Sequence, residues 1–583
     1  MYDSAQHIIL QLIRENVQTR EDVMRVIRDC LRGNSHVQPD YALLFDEYRR
    51  LLSTKEIERN ETIEKLLSRA EIRSLSGVSV LTVLTKPYPC PGKCVYCPTE
   101  SIMPKSYLSN EPAAQRALRN AFDPYMQIYN RITMLTRNGH DVQKVELIVK
   151  GGTWNAYRYD YQLWFIRRCF DACNDFIFGK EPHHEEDERM LSFDIDPSTT
   201  FTNTSHMDVV DAPEAKTANA INQRITIEKE KLRDAQNRNE TAICRIIGLT
   251  LETRPDWIRP NEVALMRELG ATRLEVGLQH TDDEILSLIK RGHTLKQFED
   301  GISLLRDAGF KVDFHTMPQL PGSNAQKDEA MYNLLWSKKT LRPDMIKIYP
   351  CSVVPLSELH DWHKEGRYKP YNEKELFEMI IKVKAKIPRY VRISRLIRDI
   401  PSDSIIDGNK ITNLREYLQI EMKKRGLHCA CLRCREYGRQ VKIHPKLKDI
   451  PPKLFVESYE ASNGTEYFLS FEDENRNAVY AFLRLRLPNS QDEKLVNLLP
   501  EIKGAAFIRE LHSYGHVVPI DANLSDEETA QHKGLGRKLV EAAEKIAKEN
   551  GFTKMLVISG VGVRGYYAML GYTHDATYMG KTL

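Results

Sequence analysis

The chain has 583 residues, 41% hydrophobic and 28% charged; it reads as globular, and it is too long for one core of about 100 to 200 residues, so three or four domains are expected. It contains no run of about 18 apolar residues to span a membrane, and its N-terminal stretch lacks the basic start and cleavage site of a secretion signal, which points to a cytoplasmic protein. Eleven cysteines at a formal net charge of +3 are too thinly spread for a disulfide framework, so the clustered ones call for a chemical reason.

Residues 1–76 read as helices, with apolar residues at helical spacing in "DYALLFDEYRRLL" and "ETIEKLLSRA". From Gly77 short apolar strands alternate with amphipathic helices. The strands are "VSVLTVLT", "KVELIVKGG", "CRIIGLTLETRPD", "TRLEVGLQ", "KVDFHTMPQLPG", "DMIKIYPC" and "YVRISRLI". Six or seven such βα units make an α/β fold, a parallel sheet closing into a full or partial (β/α) barrel over 77–398. A polar stretch at about 179–239, containing "EPHHEEDERM", interrupts the alternation and reads as a surface insertion ending in a charged helix. His183 and His184 within it fit a solvated loop better than a metal site.

Residues 399–450 read as a basic linker bearing cysteines. From Lys382 to Lys448 there are 18 Lys and Arg against 6 Asp and Glu, a local +12 that leaves −9 for the rest. Such a patch suits a phosphate backbone, the plain alternative being a solvated surface. From 451 to 583, "TEYFLSFEDENRNAVYAFLRLRLP" alternates like antiparallel strands and "GLGRKLVEAAEKIAKENG" reads as a helix. This is a separate compact α+β domain.

Three motifs carry chemistry. In "PYPCPGKCVYC", Cys90, Cys94 and Cys97 have the spacing C-x3-C-x2-C on the loop after the first barrel strand. Three thiolates there can hold three corners of a 4Fe-4S cluster and leave one iron open; a structural zinc with a fourth ligand from elsewhere is the alternative. In such barrels the loops after the strands share one mouth. Gly151 and Gly152 follow the second strand, and Glu252 and Arg254 the third. The second motif is Gln531, Gly534 and Gly536, Q-x-x-G-x-G at a helix start, a place for a pyrophosphate. Tyr566 or Tyr567 downstream could serve as donor or general acid toward a thiol, or simply pack. The third is Cys429, Cys431 and Cys434 beside His428, a tight C-x-C-x2-C that suits a structural zinc with one remote ligand, or free reduced thiols.

The cysteine loop on the first barrel strand resembles the radical S-adenosylmethionine (SAM) enzymes, in which SAM chelates the open iron. The 451–583 region resembles the GCN5-related N-acetyltransferases (GNAT), which bind acetyl-CoA at such a loop. Both together, with "FDPY", "KVELIVKGGT", "LTLETRPD", "RGHT", "MPQLPG", "GRYKPY", "IRDIP", "IRELHSYGHVVP" and "ISGVGVRGYYAMLGY" in order, resemble the Elongator catalytic subunit family, the tRNA uridine(34) acetyltransferases. The resemblance implies wobble-uridine modification to 5-carboxymethyluridine, with a 4Fe-4S cluster, SAM and acetyl-CoA. It implies Cys90, Cys94 and Cys97 as cluster ligands and Lys144 as an acetyl-CoA contact from the barrel side. Glu510, Leu511, His512 and Ser513 become the acetyl-CoA strand, and Leu535, Gly536, Arg537 and Lys538 the pyrophosphate loop. Tyr567 is placed near the thioester. The expected partners are the anticodon stem-loop of tRNA, held by the basic region and the N-terminal helices, and an electron donor, with a homodimer left open. Because three residues separate the first two cysteines, the resemblance implies a prokaryotic member working without other Elongator subunits. A competing reading is a protein lysine acetyltransferase whose iron-sulfur region is structural; another is a module that only captures tRNA.

Overall fold

A computed structural model describes residues 2–32, 39–68, 77–182, 190, 215–514 and 534–583. Gln531, His183 and His184 lie outside the described residues. Among the described residues the strands form two seven-stranded sheets, and no helix is long and apolar enough to cross a membrane.

The first sheet is parallel throughout and runs in chain order: β1 (Ser79–Leu84), β2 (Lys144–Lys150), β3 (Arg245–Thr253), β4 (Arg273–Gln279), β5 (Lys311–Thr316), β6 (Met345–Ile348) and β7 (Arg392–Arg395). β1 and β7 do not pair, so this is a partial barrel with an open seam. Strand periodicity sorts its side chains. Along β2, Val145, Leu147 and Val149 are buried, whereas Glu146, Ile148 and Lys150 line the interior cavity.

Helices cover the outside. The helix Ala215–Asn239 packs on the helix Tyr159–Asp175 through Leu232 and Ala235, with Arg167 bound to Glu228 at 2.7 Å. At its end, the Asn239 side chain accepts from the Ile246 amide at 2.8 Å and so fixes the start of β3. The second part of the expected insertion is therefore a layer of the barrel. Ahead of β1, four short helices enclose their own core of Ile8, Ile9, Leu12, Ile27, Leu44 and Leu51.

The second sheet has the order β13-β14-β12-β11-β10-β9-β8, with β8 (Lys453–Glu460), β9 (Gly464–Glu472), β10 (Val479–Pro488), β11 (Ala506–Ser513), β12 (Lys554–Val557), β13 (Thr573–Asp575) and β14 (Tyr578–Thr582). β11 and β12 are its parallel pair, and they pair only at Ala506–Ile508 against Met555–Val557. Beyond Ile508 the two part. Residues Glu510 to Ser513 keep β10 on one side, and among the described residues no strand pairs with their other edge.

Buried arginines hold this sheet under the barrel. Arg509 spans Asp344 with bonds of 2.6 and 2.8 Å and also reaches Glu466 at 2.9 Å. Arg484 donates to the Tyr390 carbonyl at 2.7 Å, and Arg486 pairs with Asp307 at 2.6 Å. Gly560 lies so close to β3 that a Cβ there would meet the Ile247 oxygen at 2.0 Å. One apolar cluster continues from the barrel into the second sheet through Phe468, Phe482, Phe507 and Tyr578.

Candidate functional site

The site begins on the loop after β1. Cys94 is buried, and Cys90 and Cys97 are half-buried. Backbone bonds pin the loop, with Val95 N–H donating to the Ile289 carbonyl at 3.2 Å and its carbonyl accepting from Leu359 at 2.8 Å. Two guanidiniums approach the Cys94 sulfur, Arg291 at 3.5 Å and Arg254 at 3.8 Å. A hydrogen bond from Cys97, helped by Arg291 and Arg254 against burial, holds the Cys94 thiol well below its ordinary range. A thiolate is the form that ligates metal. Thr153 sits 3.6 Å from the Cys90 sulfur.

These thiols are set differently from Cys429, Cys431 and Cys434, whose sulfurs all lie within 4.8 Å of one another. A zinc tetrahedron with Zn–S near 2.3 Å spaces its sulfurs by roughly 3.8 Å, so that second set fits zinc. Hydrogen bonds from Cys429 and Cys434 hold the buried Cys431 thiol well below its usual range. His428 is exposed and does not belong to the set. Cys90, Cys94 and Cys97 form no such compact set among the described residues.

The other rim residues divide by role. Gly151 and Gly152 have φ of +142° and +94°, and a Cβ on Gly151 would lie 1.7 Å from the Thr85 hydroxyl; only glycine fits there. Glu252 faces the interior, bound to Lys150 at 2.8 Å and His315 at 3.3 Å. Arg254 instead turns to the cysteine loop and is held by Asp256 at 3.0 Å and the Arg291 carbonyl at 2.7 Å.

Deeper in the barrel lies a charged group that the sequence reading did not single out. Glu275, fully buried, pairs with Lys150, with Lys347 at 2.6 Å and with His315 at 3.2 Å. Burial would raise the Glu275 carboxyl, but Lys150 and Lys347 outweigh it and hold it well below its usual range. Burial brings Lys347 down to about 8, against the pull of Glu275. The legible clue was a charge inside each of the apolar strands "RLEVGLQ", "VDFHT" and "MIKI", since buried charges occur in pairs.

A cavity of about 900 Å³ connects these parts. It is lined near the mouth by Tyr96, Pro98 and Gly152, in the middle by Glu252 and Glu275, and at the floor by Arg273, Lys311 and Arg392. There it reaches Glu510, Leu511 and His512 of β11. The seven residues of β2 rise about 3.3 Å each, so mouth and floor are about 20 Å apart.

On the other side of β11, Gly534 caps the helix Leu535–Glu549 with φ of +94° and no side-chain cap. Among the described residues no side chain caps the first amides of that helix, the kind of place where an anion binds. A Cβ on Gly536 would meet the Tyr566 hydroxyl at 2.6 Å. Of the two tyrosines, Tyr566 thus borders the loop formed with Leu535, Arg537 and Lys538, while Tyr567 is buried in the core with its ring 6.0 Å from Tyr572. Burial pushes both phenols up. Lys144 stands at the barrel floor in register with Arg245, where the Gly560–Gly562 segment packs, and burial lowers its ammonium.

Comparison with known proteins follows the same division. The radical SAM superfamily profile matches residues 219–335, the Radical_SAM C-terminal domain 343–424 and the acetyltransferase (GNAT) family 452–572. The tRNA uridine(34) acetyltransferase of Methanocaldococcus jannaschii is 40% identical over 90% of this chain and 88% of its own. Elongator complex protein 3 of Bos taurus is 33% identical over 99% of this chain and 96% of its own. The solved structure of Methanocaldococcus infernus Elp3 with residues 1–46 deleted superposes with a TM-score of 0.67 at 37% identity, covering 87% of this chain and all of that one.

Proposed function

We propose, for a chain that belongs to the tRNA uridine(34) acetyltransferase (Elongator complex protein 3) family, that it converts the wobble uridine of tRNA to 5-carboxymethyluridine using acetyl-CoA and SAM. The observation that carries this reading is the single cavity running from the cysteine loop to β11. It runs from Tyr96 and Pro98 on the cysteine loop to Glu510, Leu511 and His512, which supports coupling the two chemistries.

Cys90, Cys94 and Cys97 would hold a 4Fe-4S cluster, with Arg254 and Arg291 favouring the thiolate at Cys94. With SAM bound, such a cluster would supply radical chemistry suited to joining the acetyl methyl carbon to uracil C5, a poor nucleophile for plain acetyl transfer. Gly152, on the cavity wall, leaves room for the methionyl part of SAM, Gly151 packed against Thr85 shapes the turn that presents it, and Glu252 faces it from the next strand. The edge at Glu510–Ser513 takes the pantetheine arm, and the first amides of the helix, at Leu535, Gly536 and Arg537, take the pyrophosphate, with the Lys538 side chain beside them. Tyr566 orients the arm at that loop, and Lys144 acts from the barrel floor. The buried arginine contacts keep β11 fixed against the barrel floor.

Cys429, Cys431 and Cys434 would hold a structural zinc. For the tRNA, the cavity is lined by Arg116, Arg395, Arg398, Lys410 and Arg439. These suit the phosphates of an anticodon stem-loop, with affinity falling as salt rises. An external electron donor completes the requirements. Anaerobic incubation with tRNA, SAM and acetyl-CoA should yield 5′-deoxyadenosine and carboxymethylated tRNA. Acetylated protein without 5′-deoxyadenosine would favour a protein acetyltransferase instead.

A further inference from the structure

The conversion proposed above leaves one step without a residue. Converting an acetyl thioester into a carboxymethyl group requires water to cleave the thioester bond, and water must be deprotonated as it attacks.

We infer that the His512 side chain is the general base for that hydrolysis. His512 lies on β11 beyond the point where β12 departs, at the edge offered to the thioester arm, and it lines the floor of the cavity. Its ring is fixed between neighbours, stacked on its cross-strand partner Phe482 at 5.9 Å and beside Tyr514 at 4.4 Å. Its Nε2 is buried and has no hydrogen-bond partner among the described residues. A buried nitrogen left in this condition costs stability unless a ligand or water uses it.

The other groups at that end are committed. Glu510 is bound by Arg484 at 2.8 Å, Glu146 by Arg273 at 2.7 Å, and Glu436 by Arg392 and by Arg439 at 2.9 Å. The Tyr514 hydroxyl accepts from Arg392 at 3.1 Å. Burial, with repulsion from Arg392 and against attraction from Glu510, Glu436 and Glu146, lowers the His512 imidazole below its ordinary value. It is therefore neutral at physiological pH and free to accept a proton.

The step balances simply. Nε2 takes a proton from water as its oxygen bonds to the thioester carbonyl carbon. The C–S bond then breaks, and the imidazolium returns the proton to the departing CoA sulfur. The products are a carboxylic acid and free CoA thiol, with no oxidant or reductant.

This inference rests on the acetyl-CoA reading above, and its test keeps the two apart. The full chain, with tRNA and acetyl-CoA as the probe, is assayed for thiol release, acetyl-CoA affinity and, with SAM and reductant, 5′-deoxyadenosine. His512→Gln should slow thiol release about 100-fold, the usual contribution of a general base, while acetyl-CoA affinity and 5′-deoxyadenosine formation persist. Thiol release by the wild type should fall as pH drops through the lowered imidazole pKa, and added imidazole should partly restore His512→Ala. Undiminished release by His512→Gln, or a loss of release matched by loss of acetyl-CoA binding, overturns the assignment while 5′-deoxyadenosine formation upholds the functional reading. A wild type that neither releases thiol nor forms 5′-deoxyadenosine overturns both.

Discussion

Arg509 and Asp344 meet across the seam between the two sheets in a two-pronged ion pair of 2.6 and 2.8 Å, with neither side chain more than 1% exposed. Asp344 directly precedes β6 of the barrel, and Arg509 sits in β11 where β12 leaves it. The pair therefore fixes the proposed acetyl-CoA strand relative to the barrel floor. Removing one partner of a buried pair costs about 3 to 5 kcal/mol because the other charge stays buried. Asp344→Asn should lower unfolding free energy by that order in urea titrations and should loosen β11 in hydrogen exchange.

Gly536 and Tyr566 offer a sharper local test. Gly536→Ala places a methyl 2.6 Å from the Tyr566 hydroxyl and should weaken acetyl-CoA binding about tenfold or more in calorimetry. Tyr566→Phe should reduce turnover, whereas Tyr567→Phe, changing a ring buried in the core, should leave acetyl-CoA affinity unchanged.

Glu262 provides a pH signature behind the rim. Its carboxyl is bound by Asn155 at 2.6 Å, and Asn155 in turn accepts from Thr253 at 2.5 Å. Burial raises Glu262 to about 7, outweighing Asn155 and Arg259. The folded state thus holds this proton above the pH at which the unfolded chain has released it, so stability falls as pH rises from about 4.5 to 7. Glu262→Gln should remove that slope and make the variant more stable than the wild type at pH 8, read as melting temperature against pH.

The two cysteine sets should separate by metal analysis. Replacing Cys90, Cys94 and Cys97 with Ala should abolish iron and visible absorption while zinc remains. Cys431→Ala should lose zinc and destabilise the chain, because its buried thiol lies in the main core.

All seven barrel strands were legible in the sequence because their apolar runs are short and bounded by turn residues. The edge strand β8 was not: Leu454 and Val456 are 43% and 48% exposed, so its pattern carries no burial. The cysteine loop and the Gly534–Gly536 helix start were legible because chemistry fixes residue type at close spacing. The partners of Glu275 were not, since Lys150, His315 and Lys347 come from three other strands and meet only when the sheet curls. Arg254 was legible as a rim residue, but its turn toward Cys94 depends on Asp256 and the Arg291 carbonyl.

In the proposed function the cysteine loop and β11 act on one acetyl group through one cavity. The most direct measurement uses acetyl-CoA deuterated at the methyl, with anaerobically reconstituted protein, SAM, reductant and tRNA, followed by mass analysis of the 5′-deoxyadenosine formed. Deuterium should appear in 5′-deoxyadenosine and be lost when Cys90, Cys94 and Cys97 are replaced. Unlabelled 5′-deoxyadenosine alongside modified tRNA would contradict it.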